Sequence, residues 1–523
     1  MGRQKSDDRV VLEGRRKTSR AEHAQQGKAV TVSKQSEQLL LFGESVDTSQ
    51  EAAVASTSSP LGEKRSVGPL SPNGKRSAPS PMSMEEIVDE TNLRKAFRKV
   101  ATNRGAPGPD RQSIEEVRED LDACLRRIRR SLLDGSYEVG DIRRVWIPKS
   151  RGGVRGLGIP NVIDRIVQQA VHQVLNPQYE KTFRDGSHGF RPGRSCHTAI
   201  QRAKQYVEEG HDWVVDIDLE KFFDQVNHDR LMSRLEQRIT DRRVLALIRQ
   251  MLRANVVMPD GIVVANKQGT PQGGPLSPLL SNIVLDELDE ELVRRGHRYV
   301  RYADDCNIYV QSERSGQRVM ASLKRFIENR LKLRVNIEKS RVAKIEERSF
   351  LSFTLRRLKS GKVYVLVSEA ALRRLKDTLK EMTPRNWGRS FMTCVRRLNR
   401  YLRGWLGYFA MCDQKQHAHL GRVDGHLRRR LRALLLKQWK RKRFIISRLI
   451  RLGVPAPMVR VDIYAKRRSW WALSEVRAVQ RGLTNLFFER CGLFSLHTYW
   501  RKHHDRIERI GQKQHSLQVG TLR

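Results

Sequence analysis

Two short acidic segments hold the residue types that phosphoryl transfer needs. In Val214-Val-Asp216-Ile-Asp218-Leu-Glu-Lys-Phe-Phe223-Asp224 an apolar stretch runs into carboxylates and then into two aromatic residues. In Tyr299-Val-Arg-Tyr302-Ala-Asp304-Asp305-Cys-Asn-Ile-Tyr-Val310 two adjacent carboxylates sit between β-rich arms. Adding a nucleotide to a 3′-hydroxyl calls for two divalent cations, one at the attacking oxygen and one at the leaving pyrophosphate. Mg2+ takes carboxylate oxygens and substrate phosphates for that purpose. A single Asp in a chain so rich in Arg reads as a turn former or an ion-pair partner. Two carboxylate-bearing strand ends reverse that reading for Asp218, Asp304 and Asp305.

The elements that must hold them follow from residue periodicity. Trp213 to Leu219 is predicted as a strand, which puts Asp216 and Asp218 on one face. Tyr299 to Val310 is predicted as a hairpin turning at Ala-Asp-Asp, with helical stretches on either side. Residues 143 to 160 read as two β-branched segments joined by a Gly-rich basic turn, and Ile163 to Tyr179 has helical spacing. Folded structure is expected from about residue 85. The leader, residues 1–85, is read as disordered because residues 46 to 84 are dominated by Ser, Ala, Gly and Pro and cannot build a core. After residue 384 the pattern is almost wholly helical and basic, with Trp387, Trp405, Trp439, Trp470, Trp471 and Trp500 spread through it.

Composition narrows the partner. The 523 residues carry 100 Lys and Arg against 58 Asp and Glu, a formal net charge of +42, which selects a polyanion. No apolar run approaches the roughly 18 residues needed to span a bilayer, so no membrane role is expected and a cytoplasmic location is. The six cysteines are scattered without a C-x-x-C pair, which excludes zinc-ribbon spacing and reads as buried thiols in a reducing compartment.

Tyr302-Ala-Asp-Asp305 resembles the Y-x-D-D box of reverse transcriptases, and Asp218 to Asp224 resembles their first palm motif. Between them, Gly269-Thr-Pro-Gln-Gly-Gly-Pro-Leu-Ser-Pro-Leu-Leu-Ser-Asn282 is similar to the family's P-Q-G motif. Leu331-Lys-Leu-Arg-Val-Asn-Ile-Glu-Lys-Ser340 is similar to the segment that follows. Arg104 to Asp110, Arg143 to Pro160 and Ser187-His-Gly-Phe-Arg-Pro-Gly-Arg-Ser195 resemble finger motifs of one subfamily, the proteins encoded within bacterial group II introns. The motifs occur in that family's order over roughly residues 86 to 500, and their joint occurrence is specific.

The resemblance implies an α+β right-hand polymerase fold, with fingers and palm over 86–384 around a small antiparallel sheet. An all-helical thumb or maturase domain over 385–480 and a short DNA-binding tail over 481–523 would follow. It assigns Asp218 and Asp304 to two Mg2+ ions, with Asp305 as ligand or support. For the incoming dNTP it implies Lys149 and Arg155 on the triphosphate, and Gln272 and Gly273 lining the nucleotide and template pocket. Gly152 and Gly153 would let the fingers loop close. Phe223 would bar the ribose 2′-hydroxyl, a role that stands beside ordinary core packing as an equal reading. Lys339 is a candidate to protonate the leaving pyrophosphate, against a reading as one solvated charge among many.

Leu398-Asn-Arg-Tyr-Leu-Arg-Gly-Trp-Leu-Gly-Tyr-Phe409 marks the maturase-like region. Eleven Lys and Arg lie between Gly421 and Ile450 against one acid, Asp424. Such a run is often a solvated face, but its density beside Trp439 fits a track for phosphates and stacked bases. The RNA-binding candidates are Arg428, Arg429, Arg430, Arg432, Lys437, Lys440, Arg441, Lys442 and Arg443.

Two departures from the family pattern stand out. The lack of a Cys/His-rich C-terminal segment implies no endonuclease domain, and Phe350-Leu-Ser352-Phe353 carries Ser where relatives commonly have Gly in the primer-gripping turn. The resemblance implies RNA-directed DNA synthesis together with binding of group II intron RNA, an RNA template with a DNA primer, and target DNA. Two other functions stay open at this level. One is an RNA-binding maturase with a vestigial polymerase site, against which the intact Asp218, Asp304, Asp305, Gln272, Lys149 and Arg155 argue. The other is a host-domesticated reverse transcriptase of repair or defence. The sequence does not fix the oligomeric state.

Overall fold

The computed structural model describes residues 82–148, 153–384, 386, 388–413, 417–465, 469–506 and 509. Almost all of the leader lies outside these residues. Its last segment does not: Met82 and Met84 are buried in the body, and the Met84 N–H donates to Asp241 Oδ2 at 2.9 Å. The folded body therefore starts slightly before the predicted boundary.

Among the described residues the strands are β1 Ile142–Pro148, β2 Val154–Ile159, β3 Trp213–Ile217, β4 Val256–Val257, β5 Val263–Val264, β6 Arg298–Tyr302, β7 Asp305–Val310, β8 Arg341–Lys344, β9 Phe353–Arg357 and β10 Val363–Val367. They form a finger sheet in the order β2-β1-β4-β5, a palm sheet in the order β6-β7-β3-β8, and the two-stranded pair β10-β9. The protein has the α+β right-hand polymerase architecture with a helical C-terminal domain.

Strand β3 lies in the middle of the palm sheet, antiparallel to both β7 and β8. Its β-branched residues fill both sides. Val215 packs into a core shared with Leu323 of the helix Glu313–Asn329, and Val214 into a second core with Ile200 and Ala203 of the helix Cys196–Glu208. Each such buried side chain contributes roughly 2 kcal/mol. Gly316 lets the first helix close on the sheet, because a Cβ there would come within 2.5 Å of Val342 Cγ1. The second helix is started by Ser195, whose hydroxyl accepts from Thr198 N in a reciprocal cap. The palm sheet thus separates the finger–palm core from a core that runs on into the thumb.

Beyond β10 the described chain is helical: Glu369–Met382, Phe391–Phe409, His417–Trp439, Lys442–Arg451 and shorter helices after them. Asp424, the lone acid of the basic run, is buried and caps the helix over 496–506. It accepts from Leu496 N at 3.2 Å, His497 N at 3.0 Å and Ser495 Oγ at 2.8 Å. Four cysteines are buried as expected, but Cys196 and Cys491 are only half-buried, at the first turn of one helix and the end of another. No helix of the described residues is long and apolar enough to cross a membrane.

Candidate active site

The register of the palm sheet brings the two acidic segments to one end. Strands β3 and β7 pair from Trp213 with Val310 to Ile217 with Cys306, so Asp218 and Asp305, each adjoining that last pair, come to the same end of the sheet. The β6–β7 hairpin pairs Tyr302 with Asp305 and turns through Ala303 and Asp304. Ala303 holds φ 56°, a left-handed value that costs an alanine on the order of 1 kcal/mol. Asp304 and Asp305 are both half-exposed at that rim, and the Asp218 side chain keeps 30% of its surface.

The segment Leu331 to Ser340 clamps Asp218 from the other side. The Asp218 N–H donates to Ser340 Oγ at 3.0 Å, its carbonyl accepts from Asn336 N at 2.9 Å, and Lys339 Nζ stands 3.5 Å from its Oδ1. Lys339 is thereby beside the carboxylate, with 65% of its side chain exposed. Asp216 has a partner of its own. The strand ends at Ile217, and the Asp216 carboxylate is bound by Arg348, whose Nε donates to Oδ2 at 2.9 Å. Burial pushes the Asp216 pKa up and Arg348 opposes the shift. Asp216 is held as a structural anion, and Arg348 in turn donates to the Lys339 carbonyl at 3.1 Å.

The donor set at this rim is hard carboxylate oxygen, which suits Mg2+. Among the described residues no three His, Cys, Asp or Glu side chains could hold an ion unaided. A cation there would complete its shell with water and substrate phosphates, as Mg2+ does at nucleotide sites.

Phe223 sits in the short helix Phe222–Gln225, half-buried, its ring centroid 5.3 Å from that of buried Phe222. Its carbonyl accepts from Thr270 N at 2.7 Å. Gly269, at φ 93°, has to be glycine, because a Cβ would come within 2.7 Å of the Phe223 carbonyl. On the other side of the same loop the Gly158 N–H of β2 donates to the Gln272 carbonyl at 2.7 Å. A Cβ on Gly273 would come within 2.3 Å of the Gly158 carbonyl oxygen. The P-Q-G loop is therefore wedged between the finger strand β2 and the helix of Phe223. Arg155 lies on β2, half-buried and paired with Ile147. Gly153 holds φ 79°, whereas Lys149 and Gly152 lie outside the described residues.

The turn Phe350-Leu-Ser352-Phe353 is strained and strapped to the helices that follow. Leu351 and Ser352 have φ 50° and 70°. Tyr408 Oη donates to the Leu351 carbonyl at 2.9 Å, and Ser352 Oγ accepts from Arg374 Nη2 at 2.9 Å. Ser352 has the backbone conformation for which glycine is the easy choice, and its hydroxyl adds a bond that glycine lacks.

The basic run divides in two. Arg430 donates to Thr383 Oγ1 and to the Thr383 and Lys380 carbonyls, and Arg432 Nε donates to the Leu483 carbonyl at 2.9 Å. Arg429 pairs with Glu475 at 2.7 Å and lies 3.9 Å over the Trp471 ring. Lys437 Nζ bonds Asn386 Oδ1. These four join elements of the thumb, because the middle of the helix His417–Trp439 packs on several neighbours. Arg428 and Lys442 are half-buried, and Lys442 caps the exposed Tyr464 ring at 5.2 Å. Lys440, Arg441 and Arg443 are exposed, together with Arg448 over the Trp439 ring at 5.4 Å.

Comparison with known proteins matches the sequence to a family. Residues 147–355 match the family described as reverse transcriptase (RNA-dependent DNA polymerase), and residues 372–451 match the group II intron maturase-specific domain. Protein YkfC of Escherichia coli K12 is 34% identical over 295 residues, covering 49% of this chain and 77% of YkfC. The chain belongs to the group II intron-encoded reverse transcriptases and maturases. The group II intron-encoded protein LtrA of Lactococcus lactis subsp. cremoris is 30% identical over 339 residues, 51% of this chain, which spans only 55% of LtrA. A chain of the Cas6-RT-Cas1–Cas2 complex shares 24% identity, covering 48% of this chain and 43% of its own length, with a TM-score of 0.31. As a group II intron-type reverse transcriptase the protein is an RNA-directed DNA polymerase, and its maturase-specific domain assists intron splicing.

Sequence reasoning missed three residues that are not themselves acidic: Ser340, which accepts from the Asp218 N–H, Arg348, which binds the Asp216 carboxylate, and Arg301, which donates to the Ala303 carbonyl next to Asp304. Arg301 had one visible signal, a charge in the middle of an apolar strand beside the Asp-Asp pair.

Proposed function

We propose that the rim formed by Asp218, Asp304 and Asp305 is the polymerase centre, and that it adds deoxynucleotides to a primer 3′-hydroxyl on an RNA template. The observation that supports this is the β3–β7 register, whose last pair, Ile217 with Cys306, leaves Asp218 and Asp305 as the adjoining residues at the same end of the sheet. Asp218 and Asp304 would hold two Mg2+ ions, with Asp305 beside them. The chemistry that such ions would supply is a lowered pKa at the attacking hydroxyl and neutralised charge on the leaving pyrophosphate.

The chain's own residues do the rest. Arg155, with Lys149, which falls between β1 and β2 in the sequence, binds triphosphate oxygens, a task for a planar fork and a point charge. The ring of Phe223 stands where a 2′-hydroxyl would fall. Gln272 and Gly273 bring backbone against the nascent base pair. Lys339 Nζ, beside Asp218 Oδ1, is placed to give a proton to the departing pyrophosphate. The exposed cations Lys440, Arg441 and Arg443 bind phosphates of structured RNA, the group II intron RNA first among them, so that affinity falls steeply with added salt. Target DNA is engaged by the C-terminal segment, whose helix over 496–506 is fixed to the thumb through Asp424.

Primer extension on an RNA template with deoxynucleotides and Mg2+, comparing the parent with Asp218→Ala, tests this reading. Product from the parent alone is expected. Equal product from both would reject the assignment.

A further inference from the structure

Under the turn that presents Asp304 lies a buried charged network that none of the steps above uses. Arg301 has 0% exposure, and its five N–H donors meet five acceptors. Nε and Nη2 donate to the two oxygens of Asp289, itself 0% exposed. Nη2 also donates to Ser187 Oγ at 2.8 Å. Nη1 donates to Asn282 Oδ1 at 3.1 Å and to the Ala303 carbonyl at 2.9 Å. Three sequence motifs meet at one guanidinium: the finger segment at Ser187, the end of the P-Q-G stretch at Asn282, and the Y-x-D-D turn at Ala303.

The backbone is held by the same parts. Arg301 N donates to the Gly186 carbonyl at 2.7 Å, and His188 N donates to the Arg301 carbonyl at 2.8 Å, so residues 186–188 run beside β6 as an extra strip of sheet. Asn282 Nδ2 donates to the Gly189 carbonyl at 2.9 Å. A Cβ on Gly189 would come within 2.3 Å of Ala303 N, so the strip touches the turn directly. A buried ion pair adds little stability over apolar residues of equal volume, and stability alone does not account for this one. What the turn does need is a restraint. Ala303 occupies a left-handed conformation that an alanine keeps only when its surroundings impose it.

We propose that Arg301 is the positioning residue of Asp304. By binding the Ala303 carbonyl within a rigid, charge-balanced frame, it fixes the left-handed turn so that Asp304 and Asp305 stand in place before substrate arrives. Asp289 orients the guanidinium, and Ser187 and Asn282 complete the frame. This rests on reading Asp304 as a metal-holding carboxylate. Catalytic groups displaced by about 1 Å lose on the order of 10²-fold in rate, so a loosened turn is expected to show in kcat rather than in nucleotide binding.

The test uses the full chain with Arg301→Lys, which keeps the charge against Asp289 but cannot span Ala303, Asn282 and Ser187 together. Asn282→Ala serves as the milder variant if Arg301→Lys does not fold. Primer extension and amide hydrogen exchange over residues 298–310 are read alongside thermal melting. Expected are a kcat lowered by about 10²-fold in Arg301→Lys with deoxynucleotide KM little changed, a smaller drop in Asn282→Ala, and faster exchange at residues 302–306. A folded variant with parental kcat and parental exchange would overturn the proposal. Should the parent itself extend no primer, the polymerase reading fails, while the exchange comparison still decides whether Arg301 holds the turn.

Discussion

The carbonyl of Phe223 accepts a hydrogen bond from Thr270 N at 2.7 Å, so the backbone of the Phe223 helix is tied directly to the P-Q-G loop. Truncating the ring leaves this backbone bond intact. Phe223→Ala is therefore expected to fold and to polymerise, while incorporating ribonucleotides roughly 10- to 100-fold more readily relative to deoxynucleotides, the range a few missing carbons give in a pocket. Competition between labelled dNTP and rNTP in primer extension measures it. Unchanged sugar selectivity would remove Phe223 from the gate.

Ser352 supplies a graded test of the primer turn. Ser352→Ala keeps the left-handed strain and loses the bond to Arg374, at a cost of about 1.5–3 kcal/mol. Ser352→Gly loses the same bond but relieves about 1 kcal/mol of backbone strain. Thermal stability should fall in the order parent, Gly, Ala. A glycine variant more stable than the parent would mean that the hydroxyl contributes less than the strain that glycine relieves.

Asp286 links the palm to pH. It is buried on the helix Ser277–Arg294, with Oδ1 lacking a hydrogen-bond partner and Oδ2 3.5 Å from Arg234. Burial first, then the neighbouring Asp289 and Glu290, push its pKa up to about 6. A carboxyl whose folded pKa exceeds its unfolded value stabilises the fold at low pH and loses that contribution as pH rises through the folded pKa. Above about pH 6 the ionised group costs on the order of 3 kcal/mol relative to its protonated form. Asp286→Asn should accordingly gain on the parent in denaturant titrations between about pH 4 and 6, with the difference level above that window. A gap independent of pH would contradict the assignment.

Much of this was legible from residue pattern. The strand from Trp213, the hairpin from Tyr299 and the helix from Ile163 follow from periodicity and β-branching, and they appear within a residue or two of the expected bounds. That the Asp218 segment and the Asp304–Asp305 hairpin reach one end of a sheet was legible because each puts carboxylates at the end of an apolar strand. What alternation could not show is where a side chain finds its partner. Alternation put Asp216 on the face of Asp218 but could not show that Arg348, far away in sequence, binds its carboxylate. Arg430 and Arg432 looked like Lys440 and Arg441, since charge density does not reveal which face of a helix packs inward. Ser352 looked like a defect until Arg374 came within 2.9 Å of it.

The most direct measurement of the central claim separates the two activities in one variant. Asp304→Ala is compared with the parent for Mg2+-dependent primer extension and, in the same preparation, for protein-assisted splicing of a group II intron RNA. Extension should fall by on the order of 10³-fold or more while splicing assistance stays at the parental level, because the thumb's basic surface does not pass through Asp304. Extension that survives the substitution would contradict the account.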